Sequence, residues 1–267
     1  MSDDKTPYIL WHYTSIDTLI KICTNLTMRA THYKFMNDES ELKLGIEEAK
    51  QQIKNNIFTN KNVQTLKYIE DELNKFADGT NSREFYIISL SQERDKLSQW
   101  RSYTPSSGGC AIGFSTDVLL NVFEGYDSEN MFLKECKYDT EKIAITAITA
   151  GLIDWNNREF KRWIVQPICC TKHDCFCEEK EFRIVITRNS NTEVHFETEK
   201  PFIELKLNPS IFPDLIKEVV ISPHGNSAVN KQYVQLFSHY LGEKYNVNNQ
   251  DGLLFSVDKS SLPYRTL

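Results

Sequence analysis

Glu179 and Glu181 stand two residues apart in the stretch CFCEEKEFRIVI, residues 175 to 186, at the mouth of a predicted strand. At the two-residue period of a strand both carboxylates face one side, where one raises the pKa of the other or both orient a shared partner. Arg183 falls on the same side, so a structural ion pair or a solvated acidic turn competes with a chemical role. A second candidate is His12, an ionisable imidazole inside the first predicted strand of YILWHYTSIDTLIKI, residues 8 to 22. His12, Tyr13, Thr14 and Ser15 form a strand end leading into a helix, where backbone amides and hydroxyls gather and ligands dock. The loop SLSQERDKLSQWRSYTPSSGG, residues 89 to 109, adds Ser89, Ser91, Trp100 and Tyr103. Aromatic rings held in a loop can stack on a planar ring such as nicotinamide or a base; the alternative is that Trp100 plugs the loop onto the core.

The cluster Cys169, Cys170, His173, Cys175 and Cys177 brings soft metal ligands together. Its adjacent pair and its pair two apart do not match the two-residue spacing of zinc turns, and zinc sites draw ligands from two separated segments. Thiols without a metal are therefore expected. No GxxxxGK[ST], GxGxxG or HExxH pattern occurs, which leaves P-loop, Rossmann and zincin chemistry without support.

The elements that must position these residues can be laid out from periodicity. Tyr8 to Thr14 reads as a strand, followed by a short helix capped by Ser15 with Ile16, Leu19, Ile20 and Cys23 on one face. Two helices follow over about 38–78, the first capped by Asp38 with Glu41 returning the bond, together forming a cover packed on the sheet. Strands are expected at 84–91, 108–115, 131–138, 181–188, 201–208 and 216–222, with a helical region at 139–165. Tyr233, Leu236, Phe237 and Leu241 mark a late helix before a final strand, GLLFSVD. Strands outnumber a regular βαβ alternation, which predicts an α+β fold with a mixed, largely antiparallel sheet and flanking helices. No repeat, low-complexity tract or linker divides the chain, so residues 1–267 are expected to form one domain with a helical insertion at about 38–78.

The 267 residues, 40% hydrophobic and 25% charged, suffice for a sizeable core. No stretch approaches the roughly 18 apolar residues of a membrane span, and MSDDKTPYILW lacks a secretory signature, so a cytoplasmic location with no membrane partner is expected. Seven cysteines, an odd number, fit reduced thiols rather than a disulfide framework. The net charge of −6 argues against a surface built mainly to grip polyanions.

Taken in order, several stretches resemble a bacterial family known only as a domain of unknown function. They are His12 to Ser15, Asn37-Asp38 with Glu41, Ser89 to Ser91, Trp100 with Tyr103, Gly109 to Phe114, Glu179 to Arg183, and Ser261 to Arg265. That family in turn looks like a divergent branch of the ADP-ribosyltransferase superfamily. The resemblance implies a split β-sheet and an NAD-dependent transfer of ADP-ribose to a macromolecule, nucleic acid or protein. It casts Glu181 as the catalytic carboxylate and Glu179 as the residue that orients or deprotonates the acceptor. His12 would donate to the adenosine ribose, and Tyr13, Thr14, Ser15, Asn37, Ser89, Ser91, Trp100, Tyr103 and Arg183 would complete the NAD site. Ser89-Leu90-Ser91 only approximates the superfamily's Ser-Thr-Ser, which leaves Trp100 and Tyr103 as candidates for the nicotinamide-stacking ring. NAD would be consumed as a co-substrate, no metal is implied, and a toxin or phage-defence role would call for a regulatory partner or antitoxin. An NAD glycohydrolase and a non-catalytic nucleotide- or partner-binding module are the alternatives, and zinc-dependent nucleic-acid processing is a further one.

Overall fold

The computed structural model describes residues 8–36, 39–55, 63–78, 84–139, 168–196 and 200–263, together with 142, 144–146, 148 and 149. Asn37, Asp38, most of the expected helical region at 139–165, and Tyr264 and Arg265 of the C-terminal motif lie outside the described residues. Two compact units form: residues 1–29, 89–129 and 204–267, and residues 30–88 and 130–203. The architecture is α+β, with mixed, mostly antiparallel strand pairing flanked by helices.

In the first unit β1 (Ile9–Thr14) pairs antiparallel with β4 (Cys110–Ser115) over its whole length, with His12 opposite Ile112 and Thr14 opposite Cys110. Trp11 lies opposite Gly113, where an added Cβ would come within 2.9 Å of the indole. The glycine leaves room for that ring. β4 continues antiparallel onto β8 (Ile216–Ile221), which pairs in parallel with β9 (Ser256–Lys259). The end of β3 (Phe85–Ser91) reaches β1 through Ser91 opposite Trp11. Ser15 caps α1 (Ile16–Asn25), its Oγ accepting from the Thr18 amide at 3.0 Å, so one orphan donor of the first turn is satisfied as the sequence predicts. The unit also holds α4 (Leu97–Tyr103), α5 (Thr116–Leu119) and α6 (Ser227–Lys244). Part of its core is the cluster of Trp11, Tyr13, Trp100, Ala111 and Val220.

In the second unit β5 (Met131–Glu135) pairs antiparallel with β6 (Glu181–Thr187), and β6 neighbours β3. β2 (Thr27–His32) joins β3 antiparallel at Thr31 opposite Ile87, and β7 (Phe202–Lys206) pairs with β2. The two helices expected over 38–78 are α2 (Glu39–Lys54) and α3 (Val63–Asp78). Ile46, Ala49, Ile69 and Leu73 pack them against Phe85, Ile87 and Val185, so they do cover strands. Burying Ile46, Ile69 and Leu73 is worth about 1.5–3 kcal/mol each before entropy is counted. No helix among the described residues is long and apolar enough to cross a membrane.

Candidate functional site

A buried polar cluster of the second unit is built on the strand mouth that carries Glu181. Glu181 is the first residue of β6, and its backbone is tied on both sides: its carbonyl accepts from the Cys136 amide at 2.8 Å and its N–H donates to the Tyr138 hydroxyl at 3.2 Å. Arg183, two residues on, donates from Nε to Glu181 Oε1 at 2.8 Å and from Nη2 to Oε2 at 3.1 Å, and its Nη1 donates to the Cys169 carbonyl at 2.8 Å. Lys172 completes the set, its Nζ donating to Glu181 Oε2 at 2.6 Å and to Glu179 Oε2 at 2.8 Å. All four side chains are buried, and Lys172 is 3% exposed. Such bidentate and shared contacts are the strong form of charged hydrogen bond.

Burial by itself would push the Glu181 carboxyl up, but Arg183 first and Lys172 second override it and hold the pKa down to about 2. Glu181 is therefore an ionised carboxylate at any physiological pH. It can stabilise a positive charge but cannot lend a proton. Glu179 reaches the cluster by a different route from that predicted. It belongs to a 3-10 helix, Asp174–Glu179, not to the strand, and Lys180 adopts a left-handed conformation at φ 42° between the two carboxylates. The convergence of Glu179 and Glu181 comes from that turn and from the bridging ammonium, not from the two-residue period.

Lys172 is the member that sequence reasoning missed. Its signal was a lone cation in the apolar run ICCTKH, which burial would forbid unless carboxylates met it. Around it the cysteines divide: Cys169 and Cys170 are buried, with thiols pushed up in pKa mainly by burial, whereas Cys175 and Cys177 are exposed. Among the described residues no three His, Cys, Asp or Glu side chains are grouped so as to hold a metal ion.

The first unit carries the other sequence candidates. His12 Nδ1 lies 3.0 Å from the Ser89 carbonyl, which can only accept, so Nδ1 bears the proton. Burial lowers the imidazole pKa below its ordinary value, partly opposed by that carbonyl, leaving the ring neutral at pH 7 with Nε2 as an acceptor. This corrects the expected role: His12 can accept from a sugar hydroxyl through Nε2 but cannot donate to its oxygen. Two-dimensional NMR of the imidazole nitrogens should show the Nδ1–H tautomer at pH 7. The folded-state pKa lies below the unfolded value of about 6.5, so a penalty to stability sets in as pH falls through 6.5 and is absent above it. A doubly protonated ring at pH 7 would contradict this.

Tyr13 and Trp100 are core residues. The Tyr13 hydroxyl donates to the Glu93 carbonyl at 2.7 Å and accepts from the Lys96 amide at 3.2 Å. The Trp100 ring is wholly buried, edge-on to Tyr13 at 4.7 Å, and its Nε1 donates to Asp95 Oδ1 at 2.7 Å. A ring covered on all sides cannot stack on nicotinamide, so that role for Trp100 is withdrawn: the helical turn folds its apolar side onto β1. Tyr103 is half-buried against the same cluster. Ser15 is engaged as the helix cap, Thr14 is half-buried, and Ser91 Oγ accepts from the Glu93 amide at 3.0 Å. Ser89, also half-buried, serves through its carbonyl.

Asp95 is a second residue that sequence reasoning passed over. Besides Trp100 it accepts from Ser260 Oγ at 2.7 Å and from the Ser261 amide at 2.7 Å and hydroxyl at 3.0 Å, which ties the segment after β9 to the 89–109 loop. Burial opposes its charge, but these bonds outweigh it and lower the carboxyl pKa. Neighbouring Arg94 bonds Glu218 and, at 3.1 Å, Asp258. Glycines close the same region: a Cβ on Gly225 would come within 2.2 Å of the Ser107 carbonyl, and one on Gly109 within 2.5 Å of the Thr14 carbonyl. The 89–109 loop is thus an ordered scaffold.

Of the candidates, His12 and Ser89 belong to the first unit and Lys172, Glu179, Glu181 and Arg183 to the second. No curated protein and no solved structure matches the chain. Residues 99–184, which include Trp100, Tyr103, Gly109 to Phe114 and Glu179 to Arg183, match the family model described as Protein of unknown function (DUF2971).

Proposed function

We propose that the chain is an NAD-consuming ADP-ribosyltransferase whose reaction centres on Glu181. The observation that supports it is the state of that carboxylate: buried, rigid, and held ionised by Arg183 and Lys172 with a pKa of about 2. Breaking the bond between ribose C1′ and the nicotinamide nitrogen sends the electron pair to nicotinamide, which leaves neutral, and leaves an oxocarbenium-like ribose. A fixed carboxylate beside C1′ favours that charge without any proton transfer. A nucleophilic oxygen or nitrogen of a macromolecular acceptor then bonds C1′ and loses its proton, for which Glu179 is the nearby base.

Both Glu181 oxygens already have partners, so substrate must displace one. Lys172 is the group to move: its flexible stem can carry Nζ from Glu181 Oε2 to Glu179 alone, whereas the bidentate Arg183 stays. With water as acceptor the same chemistry makes an NAD glycohydrolase. A toxin or phage-defence effector working inside a bacterium, checked by an antitoxin or other regulator, is the biological setting that fits such an activity.

The same saturation supports a second reading, in which the four-residue cluster is only structural and the chain is a non-catalytic binding module. Nicotinamide release from NAD, measured for wild type and Glu181→Gln with and without cell nucleic acid or lysate, separates the two. Transferase or hydrolase action predicts release that falls by at least about a hundredfold in the variant. No release from folded wild-type protein, or equal release from both, would rule out Glu181 as the catalytic carboxylate.

A further inference from the structure

α6 presents a tightly fitted side to the fold and an apolar side to solvent. Val234 and Leu241 enter the core, Ser238 Oγ donates to the Phe255 carbonyl at 2.7 Å, and the same oxygen accepts from the Phe255 amide at 3.0 Å. Gly242 lies so close to Gly252 that an added Cβ would come within 2.1 Å of its carbonyl oxygen. These contacts fix the rotation of the helix, so it cannot roll to bury another face. What faces outward is Val229 at 55% exposure, Tyr233 at 53%, Leu236 at 69% and Tyr240 at 59%. Their spacing of four, three and four residues keeps them in one seam about 16 Å long. Isolated exposed apolar residues are ordinary, but an aligned row of them marks an interaction surface.

We infer that this seam is the interface of a two-fold homodimer in which two copies of α6 pack antiparallel, crossing at Leu236. The seam is self-complementary about that residue. Antiparallel pairing sets Leu236 against its own copy, Tyr233 beside the partner's His239 and the partner's Tyr240, and Val229 against the partner's Glu243. Tyr233, Leu236, Phe237, Tyr240 and Glu243 line a groove of about 470 Å³ that takes the partner's Leu236 as a knob. Charge fixes the direction. Glu243 is acidic at the C-terminal end of the seam, and antiparallel packing carries it to the positive N-terminal end of the partner helix; parallel packing would set it beside its own copy. The seam itself has no lysine or arginine, and the nearby Lys231 turns to Asp258 at 3.7 Å. A phosphate-bearing surface, nucleic acid or membrane, would meet the Glu243 carboxylate there and no lysine or arginine.

The test uses the full chain in sedimentation velocity and light scattering. At about 100 µM the wild type should have twice the mass of the 31.1 kDa chain. Leu236→Asp should be monomeric with unchanged circular dichroism and with the melting temperature of wild type diluted to the monomer, since residue 236 is 69% exposed, and Glu243→Lys should weaken dimerisation several-fold. Orientation is read by cysteine cross-linking with Cys175 and Cys177 changed to serine. Leu236→Cys should form a disulfide-linked dimer on mild oxidation, and Val229→Cys should not, lying about 10 Å of helix from the axis. A monomeric wild type at that concentration, a Leu236→Asp dimer, or cross-linking through residue 229 but not 236 would overturn the inference.

Discussion

Replacing Lys172 with methionine should cost about 3–5 kcal/mol of folding stability at pH 7, read as a lowered urea midpoint with an unchanged slope. Methionine fills nearly the same volume, so the loss is electrostatic: Glu179 and Glu181 remain buried and lose the ammonium between them. The pH dependence gives the sign. In the wild type the folded pKa of Glu181 is about 2, below the unfolded carboxyl value, so the ion pairs stabilise the protein above about pH 4.5 and that contribution is lost as pH falls toward 2. The variant has less of this contribution to lose. The stability gap between the two should therefore be widest at neutral pH and close in acid. Adding Glu181→Gln to Lys172→Met should cost less than the sum of the single changes, because it removes a charge that the first change leaves stranded. A gap that does not change with pH would mean that the loss comes from packing.

Trp100→Ala should be the most damaging change in the first unit, at about 3–5 kcal/mol, since it empties a fully buried site between Tyr13, Ala111 and Val220. Trp100→Phe should cost less, about 1–2 kcal/mol, keeping a ring in the site but losing the indole donor to Asp95. Asp95 stays bonded to Ser260 and Ser261 in that variant, so the tie to the segment after β9 should persist. The pair of variants also bears on the stacking role. If Trp100 is purely a core anchor, nicotinamide release per folded molecule is the same for Trp100→Phe as for wild type. A large fall in that ratio with stability nearly intact would return the ring to the substrate.

The strands were legible because their β-branched and aromatic runs are dense and bounded by glycine, proline and polar residues: β1, β3, β4, β6 and β8 each fall within a residue or two of their expected limits. Ser15 as a cap was legible for a local reason, since a hydroxyl at a strand-to-helix junction serves the first turn whatever lies beyond. α6 shows where that legibility stops. Periodicity located the helix, but of the residues that marked it Tyr233 and Leu236 point to solvent and Leu241 is buried. The buried face is set by Ser238 on Phe255 and by Gly242 against Gly252, contacts made across sequence and invisible to a hydrophobic count.

The chemistry divides the same way. Residue types and spacing alone determined that Glu181 and Arg183 would interact, because opposite charges two residues apart on a strand mouth lie on one side of it; Glu179 was carried to them by the turn at Lys180. Only tertiary structure brought Lys172 between the carboxylates, through backbone bonds that pair residues 170 and 172 with Lys137. Burial then decided their character: with water excluded, two cations hold Glu181 ionised, and the same exclusion leaves His12 neutral while the Ser89 carbonyl fixes its proton on Nδ1. A sequence specifies which groups are present and their local spacing. Desolvation and long-range partners set what charge they carry, and those exist only once the chain has folded.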